Sequence, residues 1–284
     1  MRLRRAFGLF TLHDEPVPPE TEQLQREGHA LLRGVFAGEE LRALREEIEE
    51  IYATCPGDRR AGIVDDNAAS AFRYQMYNRS ARCQEAMGHP RILEVIEPLL
   101  GCDCHAINST AWRNPAGLVD DPEAYYFWHI DGGPYVPRPP GLDWPDAIPY
   151  PIFVIGSHIF LEDCRLEDGP TTVVPTSHRS GELPPKALRY EEHLEYRGHG
   201  PVSLVAEAGD VAFFVSDVWH RRRLPTADSR GRFFLQTNYG RRDIAQRILT
   251  TEEVHHASED ALARATTPRQ RTLIGIHPAC YYDG

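Results

Sequence analysis

Two residues that can bind a metal stand two positions apart in the segment Trp128-His129-Ile130-Asp131. In a β-strand, residues i and i+2 point to the same face, so the His129 imidazole and the Asp131 carboxylate can hold one ion. A site with two histidines and one carboxylate is typical of non-haem Fe(II) and leaves coordination positions open. Because a His-x-Asp pair occurs by chance in many proteins, this pair predicts a metal site only together with a second histidine.

Two later residues fit the same chemistry. His220 is the best candidate for the second histidine, since it follows the apolar, β-prone run 211–215. Arg232 begins a later β-prone run, and its guanidinium offers a rigid fork for a carboxylate. A 2-oxo acid that chelates iron through its keto acid end needs such a partner at its other carboxylate. Arg230 lies two residues earlier and stays the alternative for this role.

The elements that must position these residues are predicted from the hydrophobic periodicity. One helix is predicted from Gly38 and another from Arg91 to Leu100, because apolar residues recur there at helical spacing. From about Cys104 onward, short β-prone runs separated by Gly, Pro and Asp replace the helices. The predicted strands cover residues 106–112, 125–130, 152–161, 171–174, 202–205, 211–215 and 232–239. This pattern predicts a mainly β protein with flanking helices and a jelly-roll core.

One domain is expected to span the chain of 284 residues, because closed β-architectures of similar size often form a single domain. It would consist of a helical N-terminal part (about 1–103), the jelly-roll core (about 104–240) and a helical C-terminal tail (about 241–284). Within the core, the segment 132–151 contains seven prolines and is predicted to be a stiff loop. Since this loop directly follows His129 and Asp131, we expect it to close over the substrate as a lid.

The chain resembles the phytanoyl-CoA dioxygenase-like family of Fe(II)/2-oxoglutarate-dependent oxygenases. The resemblance runs from Gln23 to Tyr239 and rests on the order and spacing of several motifs. These are Gln23-Leu24-Gln25-Arg26-Glu27-Gly28, Trp128-His129-Ile130-Asp131, the segment 168–178 beginning Asp168-Gly169-Pro170, Ala208-Gly209-Asp210-Val211, His220 and Arg232. One departure stands beside the distal histidine, where the family usually has a small residue and this chain has Arg221-Arg222-Arg223.

The resemblance implies a double-stranded β-helix core of the jelly-roll, cupin-like type. It also implies that His129, Asp131 and His220 hold Fe(II), that Arg232 binds 2-oxoglutarate, and that O₂ is the third reactant. The expected activity is hydroxylation of a small organic molecule with release of succinate and CO₂. Because Asp131 supplies a carboxylate ligand at the position that halide would need, halogenation is disfavoured.

Substrate contacts are expected from three parts of the chain. Tyr135 and Trp144 are candidate apolar walls within the loop 132–151, and Trp128 is a candidate contact beside the metal ligands. The resemblance adds the segment Phe72-Arg73-Tyr74-Gln75 as a second wall. Arg73 and Arg222 favour a substrate that carries a carboxylate or another anion. Small anionic compounds and natural products are therefore the substrate classes to consider.

Composition excludes several classes of partner. The chain has 42 acidic and 31 basic residues, and the resulting net charge of −11 argues against nucleic acid or an anionic membrane as the main partner. No apolar run approaches the ~20 residues of a membrane span, and the six cysteines lack the spacing of a disulfide framework. We therefore expect a cytoplasmic protein that acts on a small molecule. Its oligomeric state stays open.

Two alternatives to this function stay open from the sequence. One is a jelly-roll metal-binding protein without oxygenase activity, and the other is a cupin-like dioxygenase that does not use 2-oxoglutarate. Two further motifs are interpreted as structural. His178 is expected to bond to nearby backbone, and Cys102-Asp103-Cys104-His105 lacks the second pair of ligands that a four-coordinate zinc site requires.

Overall fold

The computed structural model describes residues 2–6, 9–55, 71–119, 126–244 and 257–277, with side chains from residue 14 onward. The strands of this part are β1 (Arg2–Ala6), β2 (Leu9–His13), β3 (His29–Leu32), β4 (Phe72–Tyr74), β5 (His105–Asn114), β6 (Val154–Phe160), β7 (Thr171–Val173), β8 (Val202–Ser203), β9 (Val211–Val215), β10 (His220–Arg222) and β11 (Arg232–Gly240). All pairings between them are antiparallel.

In sequence, the described α-helices lie before β5 and after β11. They are α1 (Pro19–Glu27), α2 (Gly38–Thr54), α3 (Met76–Arg79), α4 (Ala81–Met87), α5 (Pro90–Leu100), α6 (Glu259–Arg264) and α7 (Pro268–Leu273). Proline at the first position begins α1 and α5, where its missing N–H costs no hydrogen bond. Gly28 ends α1 in the left-handed conformation, with φ of 81°. The chain then turns directly into β3.

The strands form a large and a small sheet, together with the separate β1–β2 pair. The large sheet has the order β3-β9-β6-β11-β5-β4, and the small sheet has the order β10-β7-β8. Phe160, Phe214 and Phe234 of the large sheet pack in one apolar cluster with Val173 of the small sheet. The two sheets therefore face each other, as in the predicted jelly roll, and the fold class is confirmed.

The large sheet has two faces with different neighbours. The inner face, which carries Phe160, Phe214 and Phe234, looks toward the small sheet. The outer face carries alternate residues such as Ile159 and Leu235, which share a core with Leu44 and other helical residues. Since side chains alternate along a strand, a residue's position in the register decides which face it reaches.

Most predicted elements are present. β5, β6, β7, β9 and β11 lie where strands were predicted, and α2 and α5 lie where helices were predicted. Of the predicted strand 125–130, residue 125 lies outside the described residues, and residues 126–130 form one bridge, between His129 and His220. The loop 132–151 contains turns and bends without helix or strand. The predictions missed α1 and the short strands β4 and β10, which are too brief or too polar for a periodicity signal.

A helix needs about 20 predominantly apolar residues to cross a lipid bilayer. Within the described ranges, no helix is both long enough and apolar enough to cross a membrane.

Candidate active site and metal centre

The three predicted metal ligands come together between the sheets. His129, Asp131 and His220 each offer a ligand atom, and these atoms lie within 4.8 Å of one another. Antiparallel bridging joins the two histidines, whose backbone N–H groups each donate to the other's carbonyl at 2.9 Å. Because His129 lies opposite His220, the two imidazoles stand side by side with ring centroids 4.3 Å apart.

Hydrogen bonds fix the orientation of both histidine rings. Nδ1 of His129 lies 2.9 Å from the Phe127 carbonyl oxygen, and Nδ1 of His220 lies 2.8 Å from the Val218 carbonyl oxygen. A carbonyl oxygen only accepts, so each Nδ1 carries the proton and each Nε2 carries the lone pair. Both rings are therefore set in the tautomer that binds a metal through Nε2.

The backbone of Asp131 is held from the opposite side of the site. The Asp131 N–H donates to the Ser216 carbonyl at 3.1 Å, and the Ser216 hydroxyl donates to the Asp131 carbonyl at 2.6 Å. Oδ1 of Asp131 lies 3.8 Å from Nε2 of His220. Two neutral imidazole nitrogens and one carboxylate oxygen at this separation fit the donor set that non-haem Fe(II) prefers.

Arg232 lies buried at the start of β11, with 8% of its surface exposed. Its Nε donates to Oδ1 of Asn114, the residue directly opposite on β5, at 2.8 Å. Its Nη1 makes a longer hydrogen bond of 3.4 Å to Oγ1 of Thr171 on the small sheet. Burial, helped by the nearby cation of Arg222, lowers the pKa of Arg232 to about 9. The guanidinium thus reaches from one sheet to the other.

The turn before β11 separates Arg230 from Arg232. Arg230 is exposed, and its backbone N–H donates to Oδ1 of Asp168 at 2.6 Å. Burial alone would raise the pKa of Asp168, but hydrogen bonds from Arg165 and from the Arg230 backbone lower it. Gly231 has φ of 83°, and a Cβ there would lie 2.3 Å from the Asn114 carbonyl oxygen. The chain therefore needs glycine at this position to bring Arg232 onto β5.

Arg222 shares the inner side of the small sheet with His220. In the register of β10 and β7, His220 lies opposite Val173 and Arg222 lies opposite Thr171. Val173 belongs to the apolar cluster between the sheets, so His220 and Arg222 point the same way. The structure therefore brings Arg222 next to the Thr171 and Arg232 pair.

Two other predicted substrate contacts lie away from the metal ligands. Arg73 is buried on β4 opposite Ala111, on the outer face of the large sheet, and its guanidinium stacks 4.3 Å from the Tyr52 ring centroid. Trp128 points to the reverse side of its segment, where it packs in an apolar cluster with Trp219. Both placements follow because successive side chains of an extended chain point to opposite sides. Phe72 and His129 occupy the inner side, so their direct neighbours Arg73 and Trp128 point away from it.

The two predicted contacts in the loop 132–151 differ in position. The Tyr135 ring stacks on Phe153 at 5.2 Å, and its hydroxyl lies 4.0 Å from the Cβ position of Gly132, next to the ligand Asp131. The Trp144 indole donates to the Ile148 carbonyl at 2.6 Å within the loop itself. Tyr135 is thus the loop residue that the structure places beside the metal ligands.

Asp217 fastens this loop near both of its ends. Oδ2 of Asp217 accepts the Tyr135 backbone N–H at 3.1 Å and the Tyr150 hydroxyl at 2.8 Å. Burial raises the pKa of Asp217 to about 6, although both hydrogen bonds act to lower it. The same buried carboxylate therefore holds two points of the chain close to His220.

Several polar and aromatic residues on the inner face escaped the sequence predictions. His158 on β6 is buried, and its ring lies 4.3 Å from the ring of Phe234 and 5.1 Å from that of Phe214. Burial lowers the pKa of His158 well below its usual value, so the imidazole is neutral. The Trp112 indole donates to Oε1 of Gln236 at 2.8 Å. The sequence does contain a signal for such positions, which is a polar residue that recurs among the apolar residues of a β-prone run.

His178 and the segment Cys102-Asp103-Cys104-His105 were interpreted from the sequence as structural. His178 is buried, and its Nε2 lies 3.4 Å from the Gln25 carbonyl oxygen. Nδ1 of His105 lies 2.7 Å from Nε2 of His277. Among the described residues, His129, Asp131 and His220 form the only group of at least three side chains spaced to hold a metal.

Comparison with known proteins gives a family match. Residues 24–224 match the phytanoyl-CoA dioxygenase (PhyH) family, which covers the three metal-ligand positions and ends before Arg232. An ectoine dioxygenase from Bordetella parapertussis (strain 12822) is 24% identical over an alignment of 236 residues, and the match covers 75% of this chain and 72% of the relative.

Solved structures share the fold at lower identity. EctD from S. alaskensis with 2-oxoglutarate and 5-hydroxyectoine has a TM-score of 0.60 and 19% identity, covering 84% of this chain and 82% of that one. The epimerase SnoN in complex with Fe³⁺, alpha ketoglutarate and nogalamycin RO has a TM-score of 0.58 and 16% identity, covering 92% and 91%. Both similarities support the jelly-roll architecture.

The family match spans well over half of the chain and includes the site that the fold assembles. It sets aside the two alternatives, a metal-binding protein without oxygenase activity and a dioxygenase that does not use 2-oxoglutarate. The chain belongs to the phytanoyl-CoA dioxygenase family and is an Fe(II)- and 2-oxoglutarate-dependent dioxygenase.

Proposed function

We propose that the protein hydroxylates a small organic substrate at the site formed by His129, Asp131, His220 and Arg232. The observation that carries this proposal is the joint placement of the three metal-ligand side chains and a buried guanidinium between the same two sheets. A structural metal site alone has no need for an arginine that lies beside it, buried and bonded to both sheets.

In this proposal the chain's residues bind and orient the reactants. His129, Asp131 and His220 hold Fe(II), and Arg232 holds the distal carboxylate of 2-oxoglutarate through a charge-assisted hydrogen bond. When bound, the iron and 2-oxoglutarate supply the oxidising chemistry, in which O₂ is consumed and succinate and CO₂ are released. The apolar rings of Phe160, Phe214 and Phe234 keep water away from this space.

A further cation lies near His129. The Phe127 ring lies 5.4 Å from the His129 ring, and the Arg189 guanidinium lies 4.1 Å above Phe127 and 5.0 Å from the Tyr190 ring. Nε of Arg189 is buried, and no hydrogen-bond acceptor is found for it among the described residues. This arrangement supports a substrate with an anionic group. Arg189 thus replaces Arg73 as the proposed basic contact to the substrate, because Arg73 lies on the outer face of the large sheet.

The names of two similar proteins also refer to small molecules. The curated relative is named for ectoine, and the SnoN complex contains nogalamycin RO. We infer a substrate of this general size, and the net charge of −11 supports neither nucleic acid nor an anionic membrane as a partner. A cytoplasmic location stays a prediction from the reduced cysteines, of which five are free in the described part of the chain.

A substrate screen tests the proposal. Purified protein with Fe(II), ascorbate and 2-oxoglutarate is incubated with small carboxylates and natural products, and products are identified by mass spectrometry. We expect one compound to gain a single oxygen atom in step with succinate release. Oxygen uptake that is the same with and without 2-oxoglutarate would contradict the proposed reaction.

A matched pair of variants then tests the role of Arg189. Arg189→Met is expected to raise the KM for an anionic substrate about tenfold and to leave the affinity for the co-substrate unchanged, since one charged hydrogen bond is lost. Arg26→Met is the control, because Arg26 is exposed and pairs with Glu27 in α1. An unchanged substrate KM in Arg189→Met would remove Arg189 from the proposal.

A further inference from the structure

The guanidinium groups of Arg222 and Arg232 lie at one place, where Arg232 is buried and Arg222 is half-buried. Arg232 bonds to Thr171 through Nη1, and Arg222 lies opposite Thr171 in the strand register. The side chains of Tyr126 and Cys164 lie near both arginines. The two cations thus share one environment.

The described part of the chain supplies no counter-charge there. Within the described residues, no carboxylate lies within the 4 Å ion-pair distance of either guanidinium, although many other arginines of this protein form such pairs. Arg222 has a hydrogen bond with Tyr126, and its Cζ lies 5.3 Å from the Tyr126 ring centroid. Nε and Nη2 of Arg222 are buried without a hydrogen-bond partner in the same part of the chain.

The cost of this arrangement points to a missing anion. An unpaired charge in the interior is expensive, and two like charges at one place also repel each other. A single carboxylate has two oxygens with about four acceptor sites, so it can accept hydrogen bonds from both guanidinium groups.

The backbone at Gly169 leaves room for the Arg222 side chain. Gly169 has φ of 73°, and a Cβ there would lie 3.3 Å from Nε of Arg222 and 2.6 Å from the Arg223 carbonyl oxygen. A side chain at position 169 would therefore push the β10 strand away. The Asp168-Gly169-Pro170 turn thus permits a long basic side chain at position 222, in line with His220.

We propose that Arg222 binds the distal carboxylate of 2-oxoglutarate together with Arg232, and so makes this site selective for dicarboxylic 2-oxo acids. The inference rests on the proposed use of 2-oxoglutarate at this site and assigns a second residue to it. It moves Arg222 from the organic substrate, where the sequence placed it, to the co-substrate.

The test measures binding without turnover. Arg222→Met removes the charge and keeps the apolar stem, and Arg223→Met is the matched control, since Arg223 is half-exposed and pairs with Glu192 at 3.5 Å. Protein loaded with Fe(II) under nitrogen is titrated with 2-oxoglutarate and with 2-oxovalerate, which has a methyl group instead of the distal carboxylate. The melting temperature of each ligand-free protein is recorded as well.

We expect Arg222→Met to weaken 2-oxoglutarate binding about 10- to 100-fold, the usual loss for a hydrogen bond to a charged group. Binding of 2-oxovalerate should change less than twofold, and Arg223→Met should change neither affinity. The ligand-free melting temperature of Arg222→Met should equal or exceed that of the wild type, because an uncompensated cation is removed.

Three results would overturn the inference. They are an unchanged affinity for 2-oxoglutarate, an equal loss for both acids, and a lower ligand-free melting temperature, which would assign Arg222 a structural role. If Arg222→Met fails to fold, Arg222→Gln is titrated in its place, because it also removes the charge, and the same three results apply. Loss of the proposed function would show differently, as wild-type protein that binds 2-oxoglutarate but oxidises no substrate.

Discussion

The two ends of the space between the sheets are built in different ways. At the metal end, backbone carbonyls accept the Nδ1 protons of His129 and His220, so the chain orients its own ligands. At the other end, the buried Arg232 and the half-buried Arg222 are cations that the described part of the chain does not neutralise. The metal end is prepared by the protein alone, whereas we propose that an anion completes the arginine end. Loss of a side chain should therefore have different consequences at the two ends.

The largest effect is expected at the metal end. His129→Ala or His220→Ala should abolish turnover and metal binding, because two remaining ligands hold Fe(II) too weakly. Metal content by elemental analysis should fall from one ion per chain to near zero, while circular dichroism stays unchanged. His199→Ala, at an exposed position, should retain both activity and metal. Near-normal oxygenase activity in either ligand variant would show that the metal ligands have been assigned incorrectly.

The next effect distinguishes two arginines beside the β11 turn. Arg232→Ala should weaken 2-oxoglutarate binding by about 2–5 kcal/mol, since it removes one partner of a buried, charged hydrogen bond. Arg230→Ala should change it little, because Arg230 is exposed and contributes its backbone N–H to Asp168. Calorimetric titration of the Fe(II)-loaded protein measures both. Equal losses, or a larger loss in Arg230→Ala, would exchange the two assignments.

A third prediction concerns the buried acid at the metal end. The pKa of Asp217 is raised to about 6 in the fold from an ordinary value of 3.8, so the folded protein takes up the proton first. Its contribution to the free energy of unfolding should therefore fall as the pH rises from about 4 to about 6, by no more than about 3 kcal/mol. Asp217→Asn should remove this contribution, so the stability of the variant relative to the wild type should rise across this range. At pH 7 the variant should be the more stable of the two, because the amide oxygen still accepts hydrogen bonds.

Buried histidines titrate over the same range with the opposite sign. His178 packs against Tyr150, the phenol bonded to Asp217, and burial lowers the pKa of His178 from 6.5 to about 3, so its contribution to stability rises with pH. The difference between Asp217→Asn and the wild type isolates the Asp217 contribution, because His178 is present in both. Asp146→Asn on the exposed part of the same loop is the control and should leave the pH dependence intact. Urea unfolding at a series of pH values makes the comparison. If wild type and Asp217→Asn keep parallel curves between pH 4 and 6, Asp217 is not the titrating group.

The smallest effect is expected outside both ends. Arg73→Met should lower the free energy of unfolding by about 1 kcal/mol, through loss of the stacking on Tyr52. The KM values for substrate and co-substrate should stay unchanged, because Arg73 lies on the outer face of the large sheet. Steady-state kinetics checks this directly. A raised substrate KM would restore Arg73 as a substrate contact.

The metal end was predictable from sequence because its information is local. His129 and Asp131 lie two residues apart, and His220 follows a clear apolar strand. The face reached by an arginine was harder to predict, because it depends on pairing between distant strands. Arg222 faces inward because it lies opposite Thr171, and nothing in Arg221-Arg222-Arg223 itself selects the middle residue.

The same reason explains the wall predicted at residues 72–75. β4 has only three residues, too few for a visible alternation, so the sequence could not separate Phe72 from Arg73. The structure places Phe72 beside Trp112 on the inner face, with ring centroids 5.2 Å apart, and Arg73 on the outer face. His158 was missed because a buried histidine inside an apolar strand resembles ordinary core in a sequence.

The double attachment of the loop 132–151 to Asp217 has a consequence for how this protein can diversify. Tyr135 and Tyr150 fix its ends, while most residues between 137 and 149 are exposed. Exposed loop residues tolerate substitution and insertion better than anchored ones. Variation in this stretch can alter which molecules are accepted while the iron ligands keep their geometry. Replacing residues 137–149 between intact anchors is therefore a practical route to enzymes with new substrates.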